Sequence, residues 1–144
     1  MSIKSPKPEH IVIIMDGNGR WAEKNNLPRV KGHKAGVKTL RNLIERAVQL
    51  NLTMVTVYAF SRENWQRPRK EVDLLIDLFI TSLQSEVHDL HKNNIKLNFI
   101  GELTKFSDTL RKSMKESELL TYNNSGLTLN VALNYSGRWD IHRA

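Results

Sequence analysis

Apolar positions along the chain fall into two alternating rhythms. His10 to Met15 is a short unbroken apolar run, as a strand buried on both faces would be. Asp16-Gly17-Asn18-Gly19 ends it. From Lys34 to Leu50 the apolar residues Val37, Leu40, Ile44, Ala47 and Val48 recur at helical spacing, and Asn51 stops the stripe. Thr53 to Phe60 is β-branched and aromatic, which predicts a second strand. Ser61 to Lys70 is polar and basic, and Pro68 bars a regular helix interior there. A long helix is predicted from about Glu71 to Lys92, on a stripe of Val72, Leu75, Ile76, Phe79, Leu83, Val87 and Leu90. Asn93-Asn94 ends it, and Ile95 to Ile100 predicts a third strand. Ser107 is placed to cap a helix running to about Leu120. Asn123 to Gly126 is turn chemistry, and Leu127 to Leu133 predicts a fourth strand.

Strands alternating with helices predict an α/β domain built on a parallel sheet with surrounding helices. Residues 1–9 read as an unstructured lead and residues 10–144 as one domain. Right-handed crossovers place the C-terminal ends of the strands on one edge, where open α/β sheets bind ligands. The segments leaving strands one, two and four are DGNGRW, SRENWQR and NYSGRW. All three are rich in Gly, Asn, Ser, Arg and Trp, and their convergence is the main functional signal.

Composition narrows the chemistry. At 144 residues, 40% hydrophobic and 26% charged, the chain is an ordinary globular length and mixture. It has no cysteine, which excludes a disulfide scaffold and thiolate catalysis. No apolar run approaches the roughly 18 residues of a membrane span, so a cytoplasmic protein is expected. The net charge is +7. Residues 20–70 hold 12 basic residues against three acidic ones, while the remainder holds ten against twelve. A concentrated excess points to an anionic, phosphate-bearing ligand, although a solvated basic face has the same signature.

Within the loops, Asp16 could hold a hard cation such as Mg²⁺, and Gly17 and Gly19 permit close backbone approach to a phosphate. A bare Asp-Gly-Asn-Gly also reads as a tight turn. Arg20, Arg29, Arg62 and Arg67 offer the planar fork of donors that matches phosphate oxygens. His33 lies just before the first helical stripe, where a helix N-terminus favours an anion. Trp21 and Trp65 flank basic residues as core aromatics, walls for an apolar substrate, or stacking platforms. No G-x-x-x-x-G-K-[ST] or G-x-G-x-x-G motif occurs, which removes support from ATPase and dinucleotide readings.

Taken together, HIVIIMDGNGRWA, RVKGHKAG, VYAFSRENWQRP and LNVALNYSGRWDI resemble the cis-prenyltransferases, in motif order from His10 onward. The resemblance implies a parallel sheet wrapped by helices, usually in a homodimer. It implies a Mg²⁺-dependent transferase of isoprenoid biosynthesis that condenses isopentenyl diphosphate onto farnesyl diphosphate, each new double bond being cis. The long polyprenyl diphosphate would serve as lipid carrier for cell-wall precursors, with peripheral membrane contact possible at product release and no nucleic acid involved. The absence of a D-D-x-x-D cluster fits the cis rather than the trans enzymes. Carried over by motif, Asp16 is the catalytic aspartate of the Mg²⁺-diphosphate site. Gly17, Asn18, Gly19 and Arg20 form the allylic diphosphate loop. Trp21, Arg29 and His33 bind substrate. Ser61, Arg62, Glu63, Trp65 and Arg67 belong to a mobile loop closing over the site, and Asn64 is the asparagine associated with proton removal. An amide is a poor base, so Asn64 is expected to position, with diphosphate oxygen or water taking the proton.

The resemblance also implies later segments: an R-x-S-x-F-like stretch for isopentenyl diphosphate and a late glutamate for metal. The chain stops at Ala144, and Ser136, His142 and Arg143 depart from the family pattern. The expectation is therefore an N-terminal portion holding the allylic half of the site, which elongates poorly or not at all alone. Two other classes remain open at this point: a noncatalytic prenyl-diphosphate-binding subunit, and a basic nucleic-acid-binding domain using Arg and Trp.

Overall fold

The computed structural model describes residues 6–144, so most of the lead expected at 1–9 lies outside the described residues. Four strands, β1 (His10–Ile14), β2 (Met54–Ser61), β3 (Lys96–Ile100) and β4 (Thr128–Tyr135), pair in parallel in the order β1-β2-β4-β3. The helices are α1 (Asn18–Lys24), α2 (Arg29–Gln49), α3 (Arg69–Lys92), α4 (Asp108–Thr121) and α5 (Gly137–Arg143). Short 3₁₀ turns occupy Arg62–Gln66 and Leu103–Lys105. The expected α/β architecture is the one observed.

Asparagine closes three of the helices. Asn26, Asn51 and Asn94 follow α1, α2 and α3 with φ of 55°, 51° and 58°. That left-handed geometry is costly for most side chains and least so for asparagine and glycine. Asn94 also ties two turns together: its carbonyl accepts from the Gly126 N–H (3.1 Å) and its Oδ1 from the Ser125 N–H (2.9 Å). Ser107 caps α4 as expected, accepting from the Leu110 N–H at 3.3 Å.

One sheet face carries Val55, Val57, Leu97, Phe99, Leu129 and Val131 into the core shared with α2 and α3. The opposite face carries a polar ladder, one residue per strand: His10 Nε2 to Thr56 Oγ1 (2.7 Å), Asn130 Nδ2 to Thr56 Oγ1 (3.1 Å) and Asn98 Nδ2 to Asn130 Oδ1 (3.2 Å). Helix α4 blunts the β3 edge. Thr121 Oγ1 and Glu118 Oε1 accept from the Leu97 and Phe99 N–H groups at 3.0 and 2.7 Å, so these edge donors do not go unpaired.

Three sequence expectations change. β1 is not buried on both faces: it is an edge strand, with Ile11 and Ile13 turned to the core and Val12 and Ile14 61% and 73% exposed. An apolar run alone does not tell an edge from a central strand. The DGNGRW segment is mostly helix, because α1 begins at Asn18. Helix α2 begins at Arg29 rather than Lys34, which puts His33 within the helix and not ahead of it. Its first turns lack an apolar stripe, since glycines Gly32 and Gly36 face α1 there.

Candidate active site

Gly17 turns the chain from β1 into α1 with φ of 89°, a conformation that side chains resist. This turn exposes Asp16 and folds its carboxylate back onto the turn. Asp16 Oδ1 accepts from the Gly17 N–H at 2.6 Å, and Oδ2 accepts from Arg20 Nη2 at 2.9 Å. The Gly17 hydrogen bond, then Arg20, hold the Asp16 carboxyl below the usual carboxylate range, so it is ionised at neutral pH. Helix α1 sits close on α2 because α2 offers glycines. A Cβ on Gly32 would lie 1.9 Å from the Asn18 carbonyl oxygen, and one on Gly36 would lie 2.5 Å from Asn18 Nδ2. Gly19 likewise leaves room for the Arg29 guanidinium, 2.5 Å from where its Cβ would be.

Arg29, Arg67 and His33 converge on a single carboxylate oxygen. Glu71 Oε1 accepts from Arg29 Nε at 3.3 Å and Arg67 Nη1 at 3.1 Å, and lies 3.8 Å from His33 Nε2. Arg29 also bonds Glu23 at 2.5 Å, and Glu23 foremost holds its guanidinium even more firmly protonated than usual. His33 Nε2 is buried with no hydrogen-bond partner. Burial pushes the imidazole below its ordinary value against the pull of Glu71, with Arg67 and Arg29 lowering it further. A neutral ring with a shielded, unsatisfied nitrogen thus sits beside two guanidiniums.

The segment after β2 divides. Ser61, Asn64 and Arg67 face the same cleft as Asp16. Asn64 Oδ1 accepts from the Ser61 N–H at 3.0 Å, which fixes the amide and suits a positioning role. Arg62, Glu63 and Trp65 do not line the cleft. Arg62 lies over the Trp139 ring at 5.7 Å. Trp65 packs against Phe60 and Phe106, at centroid distances of 5.1 and 5.7 Å. Its indole N–H donates to Asn134 Oδ1 at 2.8 Å. Asn134 is fully buried in a left-handed conformation and donates to the Glu102 carbonyl at 2.7 Å. Of the readings open for Trp65, this geometry is that of a core aromatic. Trp21 lies outside the cleft, half exposed. Ser136 caps α5, accepting from the Trp139 N–H at 3.2 Å.

From this polar mouth a cavity of about 1140 Å³ runs between α2 and α3 over the sheet. Val37, Leu40 and Ile44 form one wall, Leu75, Phe79 and Leu83 the other, and Val57, Phe99 and Val131 the floor. Ten of the fourteen residues singled out in the sequence meet at the mouth: Asp16, Gly17, Asn18, Gly19, Arg20, Arg29, His33, Ser61, Asn64 and Arg67. Sequence reading missed Glu71. Its signal was present: an acid four residues after Arg67 and in the first turn of a helix, where both pairing and the helix dipole favour it. Among the described residues no group of three or more His, Asp or Glu side chains could hold a metal ion. A single ionised, exposed carboxylate suits a hard cation arriving with phosphate oxygens rather than a preformed cage.

An α/β sheet whose strand ends gather a glycine turn, an aspartate and three arginines above an apolar tunnel offers a surface complementary to a ligand with an anionic head and an apolar tail. The comparisons with known proteins give the family. The family model described as "Putative undecaprenyl diphosphate synthase" matches residues 14–144, and the chain belongs to that family. It is 54% identical over 142 residues to the ditrans,polycis-undecaprenyl-diphosphate synthase ((2E,6E)-farnesyl-diphosphate specific) of Shewanella oneidensis, covering 99% of this chain and 52% of that protein. It is 56% identical over 137 residues to the protein of the same name from Aliivibrio fischeri, covering 95% and 53%. Among solved structures, lavandulyl diphosphate synthase from Lavandula x intermedia in complex with dimethylallyl diphosphate superposes with a TM-score of 0.89 at 32% identity, covering 94% of this chain and 58% of that one. A probable undecaprenyl diphosphate synthase from Campylobacter jejuni gives 0.80 at 30%, covering 96% and 60%. The chain spans about half the length of the curated relatives it matches. No helix among the described residues is long and apolar enough to cross a membrane.

Proposed function

We propose that this chain carries the allylic half of a cis-prenyltransferase site. Farnesyl diphosphate would bind with its diphosphate at the mouth and its prenyl chain in the tunnel, for condensation with isopentenyl diphosphate into a long polyprenyl diphosphate. The observation that carries this is the continuity of one cavity from Asp16, Arg20, Arg29 and Arg67 to an apolar interior between α2 and α3. A ligand with a charged head and an apolar tail is complementary to both ends at once. The names of the relatives from Shewanella and Aliivibrio support farnesyl as the tail.

In the reaction the allylic C1–O bond breaks and diphosphate leaves. The double bond of isopentenyl diphosphate attacks C1, and the adjacent carbon gives up a proton to diphosphate oxygen or water. Arg20, Arg29 and Arg67 would stabilise charge on the departing diphosphate as preorganised donors. Their orientation is already set by Asp16 and Glu71. Asp16 would hold Mg²⁺, which when bound neutralises the diphosphate and favours its departure. Asn64, fixed by Ser61, would orient a substrate group rather than take the proton. Arg62, Glu63, Trp65 and Trp21 would act on the site from behind, by holding the segments that present it. A homodimer, membrane contact at product release and a cytoplasmic location are proposed on family grounds, and sedimentation tests the first.

Isothermal titration of the 144-residue chain with farnesyl diphosphate, with and without Mg²⁺, tests the reading. Saturable binding strengthened by Mg²⁺ is expected, and no binding in either condition would refute it.

A further inference from the structure

Two arginine–glutamate pairs join α2 to α3 among the described residues, and only one of them belongs to the mouth. The other is Arg41 with Glu86. Arg41 Nε donates to Glu86 Oε2 at 2.9 Å and Nη2 donates to Oε1, a bidentate fork across the gap between the helices. Both residues line the cavity, and the Arg41 side chain is about half exposed. The pair therefore lies as a rung between tunnel and solvent. The cavity continues past it: Ile44 and Val48 on α2 and Leu90 on α3 line the deeper part. Between Arg29 and Arg41 the axis of α2 advances about 18 Å, at 1.5 Å per residue.

We infer that the Arg41–Glu86 rung is a chain-length determinant, roofing the distal half of the tunnel so that prenyl chains longer than farnesyl stay buried beneath it. The inference rests on the proposed binding of allylic diphosphates. A bidentate pair open to water on one side contributes only modestly to stability. Its placement gives it a role. Among the described residues the other α2–α3 ion pairs all meet at Glu71 in the mouth, so the fork is the charged bridge between the two helices at the distal level. A farnesyl chain anchored at the mouth ends short of the rung, whereas a longer chain passes under it. Loss of the roof exposes only the longer tail to water, and the penalty grows with the apolar area uncovered. Removal of Arg41 also leaves Glu45, Glu86 and Asp89, all of which line the cavity, without their central counter-charge. That change repels nothing at the mouth but makes the distal slot wetter.

The test measures dissociation constants of farnesyl diphosphate and geranylgeranyl diphosphate in Mg²⁺ for the unaltered chain, Arg41→Ala, Glu86→Ala and the double charge swap Arg41→Glu/Glu86→Arg. Circular dichroism confirms that each is folded. The expected result is that each single variant worsens the ratio of geranylgeranyl to farnesyl affinity by about tenfold, equivalent to ~1.4 kcal/mol. The charge swap, which rebuilds the rung in reverse, should restore most of that ratio. An unchanged ratio in both single variants, or an equal loss for both ligands, would overturn the inference while leaving the functional reading standing. Failure of the unaltered chain to bind either ligand would overturn the functional reading and the rung's role with it.

Discussion

The mouth and the tunnel of the cleft are built on opposite principles. The mouth consists of charges satisfied by other charges: Asp16 by Arg20, and Arg29 and Arg67 by Glu71. Most of these groups are partly or wholly exposed, and each is replaceable without leaving a hole. The tunnel consists of the same apolar residues that hold the fold together. Ile44, Leu83 and Val131 line the cavity and are also members of the core cluster. Alterations at the mouth should therefore change binding and spare stability, whereas alterations in the tunnel should change both.

Leu83→Ala tests the tunnel side hardest. Leu83 is 7% exposed, and truncation of a buried leucine costs about 3 kcal/mol or more. Urea unfolding should show that loss, and a variant of unchanged stability would break the distinction. Gly32→Ala tests the join between the regions. Its Cβ would meet the Asn18 carbonyl at 1.9 Å, so α1 must shift, at a cost of roughly 2–3 kcal/mol. Loss of farnesyl diphosphate affinity should accompany it, because the displaced helix carries the Asp16 turn. Asp16→Ala tests the mouth alone. The melting curve should stay put while Mg²⁺-dependent affinity for farnesyl diphosphate falls about tenfold or more, the worth of a charge-assisted contact. Equal affinity in Mg²⁺ would remove Asp16 from the metal role.

Much of this division was legible in the sequence. The four strands, the long helices and the convergence of the Asp16 and Ser61 segments follow from periodicity and strand order. The status of β1 was not, because an apolar run such as Ile11 to Met15 looks the same whether a neighbour covers it or not. Nor was the inward turn of Trp65: the partner that holds its indole, Asn134, is 69 residues away. Glu71 was hidden in a different way. It reads as an ordinary helix-starting acid, and only the fold shows that Arg29, from another helix, shares its oxygen.

The smallest expected effect separates the two regions by proton count. Burial holds His33 neutral at the mouth, with its folded value below the ordinary ~6.5. Between those two values the unfolded chain binds the extra proton, so His33 costs stability as pH falls through that window. A diphosphate beside His33 would pull its value back up, and binding near pH 6 should take up a fraction of a proton. Titration calorimetry in two buffers of different ionisation enthalpy measures this, and His33→Gln should abolish it. Equal apparent enthalpies in the two buffers for the unaltered chain would place His33 outside the anion's reach.

The claim that one cleft binds head and tail separately is tested most directly by two-dimensional NMR of the chain with inorganic pyrophosphate and then with farnesyl diphosphate, both in Mg²⁺. Pyrophosphate should shift the amides of Gly17, Asn18, Gly19 and Arg20 and leave the methyl groups of Leu40, Leu78 and Leu83 in place. Farnesyl diphosphate should shift both sets. The account would be contradicted if farnesyl diphosphate moved the mouth amides alone, or instead perturbed Val12 on the open sheet face.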